Sequence, residues 1–252
     1  LTILRRVFSL KFYYQARGTG PLRRRTEPAG VLFNPGSRKK RHRFMSDDKS
    51  IEEYIQEQRF ALMSNPQCGN TRYNLATALL SLRKFSEAEK EFKEAIHCSP
   101  GLAEAYVQLG GICLQRGDME GCLAYNQQAI NARPRFAEGY GNIGFVYMQM
   151  GDHEKAVQAL EKAVQFNPYF IQGYATLANA YLFQGRVDES IATGLKALEI
   201  DSDFALAHNN LAIAYLEKGD SENAALHCEK ARALGYEVAQ EIIREIESLR
   251  SG

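Results

Sequence analysis

Cysteine and histidine are the side chains of this 252-residue chain best suited to metal binding or nucleophilic chemistry. Twice they stand side by side, at His97-Cys98 and His227-Cys228. Adjacent residues on a helix point about 100° apart, so each pair is a poor chelate. His153-Glu154 opens like a zinc-protease motif, but no second histidine follows four residues after the first. Cys68, Cys98, Cys113, Cys122 and Cys228 form no C-x-x-C pair. An odd count without regular spacing argues against a disulfide framework and fits a reducing compartment. Gly110-Gly111, Gly139, Gly141 and Gly144 are as dense as a phosphate loop, but they lie inside helical periodicity and not between a strand and a helix. No nucleophile stands with a base and an orienting group. The expectation is a non-enzyme with no catalytic residue, no metal ligand and no cofactor.

The elements that position these residues repeat. Pro66, Pro100, Pro134 and Pro168 are spaced by 34 residues, the mark of stacked helix pairs. With each proline at position 32, the units run 69–102, 103–136, 137–170, 171–204 and 205–238. Position 27 is Ala95, Ala129, Ala163, Ala197 and Ala231; position 8 is Ala76, Gly110, Gly144, Ala178 and Ala212; position 20 is Ala88, Cys122, Ala156, Ser190 and Ala224. Small residues there let two antiparallel helices approach closely. Larger residues fill the remaining grooves, at position 7 (Leu75, Leu109, Ile143, Leu177, Leu211), position 4 (Tyr106, Tyr140, Tyr174) and position 11 (Tyr147, Tyr181, Tyr215). Gly117, Gly151, Gly185 and Gly219 fall at position 15, where a left-handed residue ends the first helix. The proline closes the second helix. Ser202 replaces it before the fifth unit, so that junction is expected to rest on capping by Asp201-Ser202-Asp203.

This pattern resembles the tetratricopeptide repeat family over residues 69–235, in five registered copies. The family's tryptophan at position 4 is here Tyr, Arg72 or His208. Its bulky position 24 is Phe92 and Leu160 but also Asn126, Gly194 and Cys228, which predicts looser packing in the second, fourth and fifth units. The resemblance implies an all-α, right-handed superhelical solenoid of antiparallel helix pairs, with capping helices at both ends. It implies no catalysis but a scaffold or adaptor that binds a peptide or helix in a concave groove lined by the first helices. Carried over by register, that groove comprises Tyr73, Asn74, Thr77, Gln108, Gln115, Asn142, Phe145, Gln149, Thr176, Asn179, Phe183, Asn209, Asn210 and Ile213. Position 6 reads Asn74, Gln108, Asn142, Thr176 and Asn210, four of them side-chain amides able to donate to and accept from a peptide backbone. Generic repeats also favour Asn there, so the ladder has an inherited as well as a functional reading. The groove positions carry no Lys or Arg, which argues against clamping a partner's C-terminal carboxylate. Met148, Leu182 and the groove's Phe145, Phe183 and Ile213 are read as apolar anchors. The expected partner is a protein or peptide segment, neutral or basic, with apolar residues of its own, and no small-molecule substrate is expected.

Outside the repeats, Lys49–Ser64 reads as a helix with Ile51, Tyr54, Ile55 and Leu62 on one side, within a cap spanning 47–68. Residues 237–252 read as a C-terminal cap striped with Val238, Ile242, Ile246 and Leu249. Segment 1–46 differs. Its first 44 residues hold twelve Lys or Arg and only Glu27 as an acid, so a near-neutral chain divides into a strongly basic start and an acidic remainder. Three readings fit: upstream sequence translated from a start called too early, with Met45 the ordinary one; an organelle transit peptide, from acid-free Leu1–Gln15; or a basic arm for nucleic acid or anionic membrane. All three predict disorder. A genuine arm would make the protein nucleic-acid- or membrane-associated; without it, neither partner is expected. A further reading is a regulatory or assembly subunit of an enzyme complex. With no secretory signal and no long apolar run, the expected location is cytoplasmic.

Overall fold

A computed structural model of the chain describes residues 48–251. The basic segment and its readings lie outside them. The described residues form twelve α-helices and no strand. α1 (Asp48–Ser64) precedes five pairs: α2 (Gly69–Ser81) with α3 (Phe85–Cys98), α4 (Ala103–Gln115) with α5 (Met119–Ala132), α6 (Ala137–Met150) with α7 (His153–Phe166), α8 (Ile171–Phe183) with α9 (Val187–Ile200), and α10 (Ala205–Lys218) with α11 (Ser221–Ala233). α12 (Gln240–Ser251) ends the chain. The all-α helix-pair class expected from the sequence is the one observed.

Each pair closes through the same left-handed turn. Gly117, Gly151, Gly185 and Gly219 have φ between 75° and 81°. The next backbone N–H in each case donates to a carbonyl five residues back, as from Asp118 to Cys113 and from Asp220 to Tyr215, both 2.9 Å. Lys84 makes the same bond to Leu79, but the left-handed residue before it is Arg83, at φ 58°. A side chain there is strained by about 1–2 kcal/mol. Second helices then begin on an aspartate in three repeats: Asp118, Asp152 and Asp220 accept from the backbone N–H of Gly121, Lys155 and Asn223 at 2.7, 3.1 and 3.0 Å.

The described chain divides into two compact units within α6, one ending at Val146 and the other beginning at Tyr147. In the first, α1 buries Ile51 and Ile55 against Leu75, Leu79, Phe92 and Leu109. Ala76, Ala88, Ala95 and Ala129 are fully buried, which confirms them as points of close approach. Arg72 takes the tryptophan position by reaching Glu91 at 2.8 Å. Tyr54 lies largely at the surface, off the stripe expected of it. At position 24, Asn126 is wholly buried and hydrogen-bonded, so the second pair is not loose there.

In the second unit, Ala156, Ala163, Ala197, Ala224 and Ala231 are likewise fully buried. Gly194 leaves no gap: a Cβ on it would lie 2.9 Å from the Leu211 side chain, which fills the space from the next repeat. α12 is shorter than the expected cap. Val238 precedes it but is buried with Ile242 and Ile246, whereas Leu249 is exposed at the helix end.

The junction lacking proline is held differently from the sequence expectation. Asp201 accepts from the backbone N–H of Asp203 at 3.0 Å, but α10 has no side-chain cap. Instead His208 Nε2 donates to the Ser202 carbonyl at 3.0 Å. Because a carbonyl only accepts, His208 carries its proton on Nε2, and its Nδ1 accepts from His227 Nδ1 at 2.8 Å. Both rings are buried, and His227 stacks on Tyr215 with centroids 5.5 Å apart. Burial first, then His208 and Lys230, push the His227 pKa down to about 4 from an ordinary 6.5.

Two consequences are measurable. Arg83→Gly is expected to raise stability by up to about 1 kcal/mol in denaturant melts, relief of strain exceeding the entropy that glycine adds to the unfolded chain. A destabilised variant would show that the turn tolerates arginine freely. His227 stays neutral in the fold but protonates near pH 6.5 when unfolded. Its contribution is therefore complete above pH 6.5 and is lost as pH falls towards 4. Burial also lowers His153, which acts in the same direction. The melting temperature of His227→Gln should fall less steeply than wild type over that window; parallel slopes would dismiss the imidazole pair as the source.

Candidate functional site

The first helix of each repeat carries the expected groove positions, and the structure sorts them by what each side chain already touches. Asn74 is exposed near the middle of α2, and Gln115 is exposed at the end of α4. Phe145 and Gln149 on α6 and Asn179 on α8 are half-buried. These five keep accessible surface. Thr77 and Thr176 turn their hydroxyls back to the carbonyls of Tyr73 and Gln172, at 2.9 and 2.8 Å. That satisfies the hydroxyl proton within the helix and leaves oxygen lone pairs outward.

Other positions serve the fold. The Tyr73 ring packs on Phe92 with centroids 5.7 Å apart, and Phe183 stacks on His153 at 4.7 Å. Ile213 is buried with Leu211, Val238 and Ile242, and Met148 and Leu182 also lie in core clusters. Of the five apolar anchors read from the sequence, three are thus core residues and Phe183 is partly occupied. The sequence could not separate them, because an apolar residue on a helix facing its neighbours suits either role.

The position-6 series is not a uniform ladder. Asn210 is buried and donates to the Ala175 carbonyl at 3.0 Å, tying α10 to α8; Asn209 beside it is buried too. Asn142 donates Nδ2 to the Asn126 Oδ1 at 3.0 Å, and Asn126 donates to the Cys122 carbonyl at 2.8 Å. Gln108 is buried, and its Oε1 has no hydrogen-bond partner. Asn126 is what sequence reading missed. It was marked only as an odd occupant of position 24, yet it sets the direction in which Asn142 bonds.

Among the described residues no three His, Cys, Asp or Glu side chains gather as a metal site, and no helix is long and apolar enough to cross a membrane. The five cysteines are free thiols. Burial raises Cys113, Cys122 and Cys228, Cys122 to about 12. Cys68 is shifted the other way by the Thr71 hydroxyl, which donates to its sulfur at 3.1 Å. The accessible groove positions named above are amides and hydroxyls with sparse apolar groups among them.

Comparison with known proteins agrees with that geometry. Tetratricopeptide repeat models match residues 73–134 and 137–170, and a TPR repeat model matches 178–219. No curated protein sequence matches the chain. Among solved structures, Pseudomonas aeruginosa pilF is similar at TM-score 0.65 and 17% identity, over 78% of this chain and 96% of that one. YrrB, described as a TPR protein with an unusual peptide-binding site, is similar at TM-score 0.57 and 19% identity, over 71% and 93%. The Cut9-Hcn1 hetero-tetramer of the APC/C is similar at 0.67 and 19%; the match covers 80% of this chain but only 40% of that one. At these identities the likeness is one of fold.

Proposed function

The chain belongs to the tetratricopeptide repeat family, whose repeats generally mediate protein–protein interactions and scaffolding, and on that premise we propose that it is a non-catalytic adaptor. It holds a peptide or helical segment of another protein against the first-helix faces of its repeats. The observation that carries this reading is the set of amide and hydroxyl side chains left accessible on those faces, with Asn74 exposed and Asn179 half-buried among helices that otherwise bury what they can. A groove of amides and hydroxyls can bond to an extended backbone without fixing its sequence. Phe145 supplies accessible aromatic surface for an apolar residue of the partner. The peptide-binding site described for YrrB supports the same use of this fold. The absence of Lys and Arg from these positions favours a neutral or basic segment over an acidic tail. The free thiols support a reducing, cytoplasmic setting.

The test is capture of partners from source lysate by the full chain, beside a variant with Asn74, Gln149 and Asn179 changed to Ala. Asn142 and Asn210 are left intact because they bond within the stack. A protein retained by the first and lost by the second, with melting temperature unchanged, is the expected result. Equal retention by both would move recognition off these faces.

A further inference from the structure

The acceptor groups of the second and third repeats identify a side chain the partner must bring. Asn126 lies between the two first helices concerned. Its Nδ2 would be 2.5 Å from a Cβ on Gly110 of α4, and its Oδ1 accepts from Asn142 of α6 at 3.0 Å. That bond fixes the orientation of the Asn142 amide: one Nδ2 proton is committed inward, which leaves Oδ1 as the acceptor that Asn142 can offer a ligand. On α4, two residues before Gly110, the buried Gln108 Oε1 has no donor at all. A buried carbonyl without a partner costs about 1–3 kcal/mol, a penalty that a donor from water or ligand removes. One turn along the same face, Gly111 has no side chain to close over it. One turn before Asn142, Glu138 is half-buried with no cationic partner among the described residues. Its counterpart on α4, Glu104, differs, being held by Arg133 through two bonds of 2.7 and 3.0 Å. Two amide oxygens and one unanswered carboxylate therefore share a face with no basic side chain at its groove positions.

We propose that this face, Gln108 with Asn142 and Glu138, is a subsite for a lysine or arginine side chain of the bound segment. The inference rests on the adaptor reading above. An ammonium or guanidinium supplies several donors and no acceptor, and so satisfies all three oxygens; a neutral amide would bring an acceptor of its own into an acceptor-rich place. The charge explains why the adaptor face needs no cation itself: the partner provides it.

The probe is a random twelve-residue peptide library displayed on phage and panned over immobilised full chain. Enriched peptides are then resynthesised with a dye and titrated by fluorescence polarisation. The selected sequences should share a Lys or Arg, and its replacement by norleucine should weaken binding by about tenfold or more, as expected for hydrogen bonds to a charged group. Against Glu138→Gln and Gln108→Leu that penalty should shrink, while Gln108→Glu should tighten the basic peptide. Peptides that depend on Asn74 and Asn179 but lack a basic residue would overturn the subsite and leave the adaptor reading standing. So would a norleucine penalty equal in wild type and all three variants. A library yielding no peptide sensitive to Asn74 and Asn179 would bring down both.

Discussion

The distance between the two helices of a repeat governs everything built on it. Position 27 is alanine in all five repeats, each fully buried. At these points helix meets helix with only a methyl group between, so the crossing is fixed by backbone contact more than by side-chain choice. Positions 7 and 11 can then vary between leucine, isoleucine, cysteine and tyrosine, since they fill a space whose walls are already set. The left-handed turn follows from the same constraint. A chain reversing over so short a separation must end the first helix abruptly, and the bond from the residue after position 15 back to position 11 recurs in every repeat.

Most of this was legible in the sequence, because the features concerned are periodic. A small residue every 34 positions announces close packing wherever it falls, and glycine at position 15 announces its own backbone. What stayed hidden were pairings between residues whose meeting depends on the neighbouring repeat. Asn142 and Asn210 share a register position, but one turns towards a buried asparagine and the other towards a backbone carbonyl. Their surroundings differ, so identical amides do different work. The missing proline at Ser202 was visible; its remedy, an imidazole six residues on, was not, because His208 reads as a poor aromatic until His227 is seen beside it. Gly194 likewise reads as a void until Leu211 occupies it.

The candidate site was less legible than the fold for a related reason. A groove position is defined by what faces outward, whereas residue type reports only what could be tolerated there. Ile213 and Phe145 are both apolar and both in register, yet one lies in a core cluster and the other keeps accessible surface. Only the polar members, whose hydrogen bonds can be accounted for one by one, distinguish surface left accessible from surface consumed by the stack.

Repeat proteins are often pictured as strings of exchangeable units, but Asn126 makes the second repeat non-portable. It fits only over a glycine at position 8 of its own pair, and its oxygen is answered only by an asparagine at position 6 of the following one. Copied in front of the fourth repeat, it would meet Thr176 and hold a buried oxygen with no amide to answer it. Placed in a pair with Ala178 or Ala212 at position 8, the same side chain would have no room. The order of the units is thus written into their cores, and lengthening this array by simple duplication of that segment would be penalised where it would pass unnoticed elsewhere.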